Sequence, residues 1–181
     1  MKNFFNISNC LTFSRIISII PVVILLYFEN RVTSLIAGII FSLAFITDFF
    51  DGYIARKYNQ VTTFGKFIDP LADKLMVLAA LIMLVHLNRV PAWVAIVILS
   101  REFAVTGLRA IAATEGIVIQ ASPSGKNKVG YQIAALIPLI IYYPFFGLNS
   151  KAIGYFFLYI SLVLTITSGV KYFYTFFKEV K

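Results

Sequence analysis

The feature that most constrains this chain is the recurrence of apolar stretches, each long enough to cross a bilayer. A spanning helix needs about 20 mostly apolar residues. Six segments meet that length, residues 11–28, 32–56, 66–87, 91–114, 129–147 and 152–177, separated by short polar or Gly/Pro-marked breaks. With 60% hydrophobic, 16% aromatic and 13% charged residues among 181, the chain is too apolar for a soluble domain of its size. The predicted fold is all-α, a polytopic membrane protein with six transmembrane helices, built as a single domain over residues 1–181. Residues 1–8, with Phe4 and Phe5, are expected to lie along the interface. No small-residue cleavage pattern follows the first segment, so it reads as a retained helix. Cys10 is the only cysteine, which excludes an intramolecular disulfide and a cysteine-based zinc cluster.

The net charge of +8 has a simple source. With six spans both termini share a side, and on that side fall Lys2, Arg56, Lys57, Lys66, Lys126, Lys128, Lys178 and Lys181. The opposite loops carry Arg31, Arg89 and Lys151. The positive-inside rule then places both termini, the segment 48–74 and the loop containing Lys126 in the cytoplasm. Nucleic acid is not needed to explain the basic balance.

The acidic residues are distributed less evenly. All four aspartates, half of the eight acidic residues, lie in DFFDGYIARKYNQVTTFGKFIDPLADK, residues 48–74. On a helix Asp48, Asp51, Gly52 and Ala55 share one stripe, and Asp69 and Asp73 share another one turn apart. A short connection makes the two helices antiparallel neighbours, so the four carboxylates can converge. Each charged Asp in a bilayer costs roughly 2.5–3.5 kcal/mol on the mild insertion scale, and like charges add repulsion. Divalent cations would compensate both terms. Oxygen ligands without His or Cys favour Mg²⁺ or Mn²⁺, and two ions would balance four carboxylates. Carboxylate-held metal pairs commonly serve phosphoryl transfer.

The pattern Asp48-x2-Asp51-Gly52-x2-Ala55-Arg56-x8-Gly65-x3-Asp69-x3-Asp73 resembles the full signature of the CDP-alcohol phosphatidyltransferase family. The resemblance implies transfer of a phosphatidyl group from CDP-diacylglycerol to an alcohol with release of CMP. It implies Asp48, Asp51, Asp69 and Asp73 as ligands of two Mg²⁺ or Mn²⁺ ions, with Asp73 also the catalytic base. It further implies that Gly52 and Ala55 bed the cytidine nucleotide, that Arg56 contacts a phosphate, and that the protein is a homodimer in the cytoplasmic membrane.

Two other stretches, residues 7–15 and 100–132, are similar to the family branch that uses glycerol 3-phosphate. Asn9, Leu11, Thr12 and Arg15 match it, while Ser8 stands where Pro is common and Val129 where Thr is common. An anionic acceptor needs cationic partners, and Arg109, Lys126 and Lys128 lie at or near the cytoplasmic end of the fourth span and in its following loop. Arg109 sits about 27 Å along its helix from Pro91, near the inner interface, where it either meets the acceptor phosphate or snorkels. Arg101 and Glu102, about 15 Å along, are expected to pair with other spans or close the floor of a polar cavity. Lys74 either balances the acidic cluster or snorkels. His86 reads as interfacial, and the aromatic run from Tyr155 to Phe177 as lipid-facing surface and interfacial belt. The alternatives are a relative using phosphatidylglycerol, serine or inositol phosphate, an ion transporter with an aspartate-lined path, and a non-catalytic scaffold.

Overall fold

Each apolar stretch folds into one helix, and local chemistry accounts for where most of them stop. The structure is a computed structural model that describes residues 7–57, 63–114, 123–144 and 147–179, with side chains over 12–47, 68–114, 128–144 and 147–178. Its helices are α1 (Ile7–Tyr27), α2 (Arg31–Lys57), α3 (Thr63–His86), α4 (Ala92–Thr114), α5 (Pro123–Ile141) and α6 (Ser150–Glu179). Asn30 caps α2, its Oδ1 accepting the Thr33 N–H at 2.9 Å, and Asn149 caps α6 through the Ala152 N–H at 3.1 Å. The residues that turn the chain out of α1, α3 and α5 adopt left-handed φ: Glu29 (47°), Asn88 (54°) and Tyr142 (62°).

The fifth segment departs most from the expected bounds. A proline is well placed at the start of a helix, where its missing N–H is not needed, and α5 begins at Pro123. Lys126 and Lys128 therefore ride on its first turns and not in a loop. At the other end left-handed Tyr142, followed by Pro144, stops the helix at Ile141, six residues short of the expected Gly147. Of the expected interfacial segment, Ile7 and Ser8 already belong to α1, and residues 1–6 lie outside the described ones.

The principal contacts close a ring, α1–α2–α5–α6–α4–α3 and back to α1, with α3 also touching α5 across the middle. The α1–α2, α3–α4 and α5–α6 connections meet at one end. There the Tyr143 hydroxyl donates to the Glu29 carbonyl at 2.8 Å and Arg31 to the Pro144 carbonyl at 2.9 Å. Arg89, 3% exposed, ties the group together. It donates to the Ile140 carbonyl at 2.7 Å and to Ser34 Oγ at 3.1 Å, and its guanidinium lies 4.5 Å from the Tyr142 ring centre. A cation on the last carbonyls of α5 satisfies groups with no intrahelical partner and complements the helix dipole. Burial lowers the Arg89 pKa from its ordinary value, yet an arginine stays charged throughout the physiological range. The apolar core fills this half, with Leu26, Phe41, Leu84, Val94, Ile98, Leu139, Ile140 and Leu158 buried. Gly154 admits α5: a Cβ there would lie 2.5 Å from Leu139 Cγ.

The outer surface is apolar as well. Ile17, Ile20 and Ile24 on α1, Ile36, Ile39, Leu43 and Ile46 on α2, Trp93, Ile96 and Phe103 on α4, and Phe156, Tyr159, Val163 and Val170 on α6 are all exposed. These stripes repeat at helical spacing on faces that no neighbour covers, an arrangement suited to lipid and not to water. Among the described residues six helices are present, as expected. Among the described residues, one stretch, Ser150–Lys178 on α6, is long and apolar enough by itself to cross a membrane; Thr12–Tyr27, Arg31–Thr47 and Lys128–Ile141 are shorter apolar stretches. His86 lies at the loop end with its ring 5.5 Å from that of Tyr27, an interfacial position.

Replacing Arg89 by Met should lower the thermal unfolding midpoint in detergent. Each buried carbonyl left without a partner costs about 1–3 kcal/mol, and an unchanged midpoint would show that Arg89 does not hold this end together.

Candidate active site

The polar side chains collect in the half of the ring opposite these loops. Asp69 and Asp73 are placed by α3, one turn apart, and α1 meets them. The Thr12 hydroxyl donates to Asp69 Oδ1 at 2.6 Å, and Arg15 Nη1 to Asp73 Oδ1 at 2.6 Å. Thr12 and Arg15 are each 2% exposed, whereas the Asp73 side chain is 42% exposed. The donors are thus sunk in the helix interface, whereas the Asp73 side chain is partly exposed. Asp48, Asp51, Gly52, Ala55 and Arg56 lie in the last turns of α2, and their side chains are outside the described residues. Among the described residues no three His, Cys, Asp or Glu side chains converge as a metal cluster.

Facing these acids is a group of cations from three helices. Lys74 Nζ donates to Thr106 Oγ1 at 2.6 Å, reaching from α3 to α4. Lys128 on α5 is 2% exposed and forms an ion pair with Glu102 on α4. Arg101 donates to Ser168 Oγ on α6 at 2.9 Å and approaches Glu102 at 3.4 Å. Arg101 and Arg109 lie 5.5 and 5.8 Å from the ring centre of Tyr172. The charges are close enough to act on one another: Arg109 on Lys74 and Arg101, and Arg101 and Lys74 on Lys128. Among the described residues Glu102 stands among these four cations and Asp73 also acts on Lys74, and the excess of cations favours an anionic guest. Two buried donors add to it. Gln132 Nε2, one turn beyond Lys128, and Arg101 Nε have no hydrogen-bond partner among the described residues, and such groups are costly unless something accepts from them.

Arg101 and Glu102 join other helices, as their depth required. Lys74 crosses to α4 instead of snorkelling outward. Arg109 is near the cation group, Lys128 is within it, and the side chain of Lys126 lies outside the described residues. The aromatic run from Tyr155 to Phe177 is lipid-facing only in part. Tyr172 and Phe176 turn inward, packing with Val105 and Ala112, because α4 covers that face of α6. Sequence reasoning gave no site role to Thr12, Arg15, Gln132, Ser168 or Tyr172. An apolar helix carrying one Arg and one Thr three residues apart was the available signal for the first two.

This bundle, with aspartates of α2 and α3 at signature spacing and a cation group beside the α3 pair, matches one family across most of its length. The CDP-alcohol phosphatidyltransferase family model covers residues 5–167, and the chain belongs to that family. Among curated proteins it is similar to the CDP-diacylglycerol–glycerol-3-phosphate 3-phosphatidyltransferase of Bacillus subtilis, at 44% identity over 93% of this chain and 94% of that protein. Proteins of the same name from Rickettsia typhi, 44% identical over 93% of this chain and 95% of theirs, and Wigglesworthia glossinidia brevipalpis, 36% identical over 93% of each, are also similar.

The Glu102–Lys128 pair should be energetically coupled. Lys128→Met and Glu102→Gln are each expected to lower the unfolding midpoint, and the double variant to lose about 1–3 kcal/mol less than the sum of the singles. Simple additivity would mean that the pair is not formed.

Proposed function

We propose that this chain transfers the phosphatidyl group of CDP-diacylglycerol to glycerol 3-phosphate, giving phosphatidylglycerophosphate and CMP in phospholipid biosynthesis. The observation that carries the reading is the juxtaposition of the Asp69–Asp73 pair with Lys74, Arg101, Arg109 and Lys128, within a chain of this family. The names of the similar proteins supply the donor and acceptor.

In this reading the acceptor's phosphate rests on Arg109, Lys126 and Lys128. Lys128 carries three N–H donors, so its pairing with Glu102 leaves two for an anion. The unpartnered Gln132 amide and the nearby Arg101 guanidinium extend the same donor surface. A phosphate held there brings the acceptor's hydroxyl toward Asp73, whose carboxylate takes its proton. The hydroxyl oxygen forms a bond to the phosphorus of the phosphatidyl group, and the bond from that phosphorus to the bridging oxygen breaks, its electron pair leaving with CMP. Gly52, Ala55 and Arg56 hold the cytidine nucleotide. Asp69 and Asp73 suit Mg²⁺ or Mn²⁺, being hard oxygen donors one helical turn apart, and with Asp48 and Asp51 they would hold two ions. When bound, such ions neutralise the diphosphate and acidify the attacking hydroxyl. The apolar exterior of α1, α2, α4 and α6 supports six spans, with both termini and this site at the cytoplasmic face, and the family likeness implies a homodimer.

Purified protein should release CMP from CDP-diacylglycerol when given glycerol 3-phosphate, and not when given phosphatidylglycerol, serine or inositol phosphate. Asp73→Asn should lower that rate by about 10²–10⁴-fold, the usual range for a lost general base, in protein that is still folded although its unfolding midpoint falls because Arg15 loses a charged partner. Full activity in that variant would end the assignment of the base. Arg109→Gln should raise KM for glycerol 3-phosphate about tenfold while leaving KM for CDP-diacylglycerol unchanged, since a hydrogen bond to a charged group is worth about 1.5–3 kcal/mol. Equal changes in both constants would remove Arg109 from the acceptor site.

A further inference from the structure

We infer that Thr12 and Arg15 of α1 are positioning residues, which fix the Asp69 and Asp73 carboxylates in the orientation that metal binding and proton abstraction require. The inference rests on the proposed function, and it concerns side chains to which that function gives no part. Both pairs are made the same way: a donor on α1, 2% exposed, engages the Oδ1 atom of an α3 aspartate at 2.6 Å. The donors are three residues apart and the acceptors four, so two parallel helix faces are matched pair for pair.

The energetics argue against mere helix pinning. A guanidinium inside an apolar bundle is expensive, and a threonine hydroxyl contributes little packing that valine would not. Two apolar residues would join α1 to α3 at lower cost. The present pair instead settles the rotamers of two carboxylates, of which Asp73 is 42% exposed. A carboxylate offers about four lone-pair sites, so a bond at Oδ1 leaves capacity for an ion or a proton. Ligating carboxylates elsewhere are oriented by outer partners of this kind, and their loss typically costs 10–100-fold in metal affinity or activity.

The neutral donor and the charged donor predict different losses. Thr12 orients a carboxylate assigned to metal alone, so Thr12→Val should weaken Mn²⁺ binding about tenfold or more. Its kcat at saturating Mn²⁺ should stay within about threefold of the parent, and Thr12→Ser, which keeps the hydroxyl, should restore binding. Arg15 orients the base. Arg15→Gln should lower kcat about 10–100-fold with KM for glycerol 3-phosphate within about threefold, and Arg15→Lys should recover part of the loss. Mn²⁺ binding is read by electron paramagnetic resonance on detergent-purified protein without lipid substrate, per mole of monodisperse protein, with the unfolding midpoint measured beside it. If Thr12→Val binds Mn²⁺ as the parent does, or Arg15→Gln retains kcat, the contacts are helix pins and the inference is overturned. It is overturned equally if the losses vanish once corrected for protein that has unfolded. Asp69→Asn is the separate control. Parental Mn²⁺ affinity in that variant would remove the metal-ligand reading itself, and the inference with it, whereas weakened binding there alongside parental binding in Thr12→Val would overturn the positioning role alone.

Discussion

A charge carried by a bundle whose outer surface is apolar has to be satisfied inside it, and the arrangement of this protein follows from that requirement. The exteriors of α1, α2, α4 and α6 are lined with isoleucine, leucine, valine and aromatic residues. Arg15, Arg89, Arg101, Glu102 and Lys128 therefore turn inward and meet partners on other helices or in the loops that join them. Each such contact is also a tertiary constraint. An ammonium or guanidinium in low dielectric interacts strongly with whatever is placed beside it and costs much if left alone.

The two ends of the ring use this principle for different purposes. At the loop end Arg89 meets carbonyls, a hydroxyl and aromatic rings, and the result is a satisfied junction. At the other end the groups are only partly satisfied. Glu102 is shared between Lys128 and Arg101, and Gln132 and Arg101 retain buried donors with no partner among the described residues. An incomplete polar network is destabilising in a purely structural setting and appropriate where a charged substrate completes it. On the proposed function, the stable half supports a half that spends stability on binding.

The aspartate spacing was legible in the sequence because helical periodicity alone puts Asp69 and Asp73 on one face and Asp48, Asp51 and Gly52 on another. The helix count was legible for a similar reason, since bilayer-length apolar runs interrupted by polar, Gly or Pro residues leave few options. The limits of α5 were not. Hydropathy marks where a chain turns apolar, whereas Pro123 and the left-handed Tyr142 mark where the backbone starts and stops being helical. The inward turn of Tyr172 was not legible either, because an aromatic run carries no sign of which members α4 covers.

Composition and spacing by themselves determined an apolar helical chain with four acids held at fixed intervals on two neighbouring segments, and local periodicity suffices for that. Only the tertiary structure decided that Thr12 and Arg15 meet Asp69 and Asp73, that Lys128 meets Glu102, and that Lys74, Arg101 and Arg109 gather beside them. These partners are far apart in the chain, and their meeting depends on which helix faces close the ring, a property of packing that no single segment encodes.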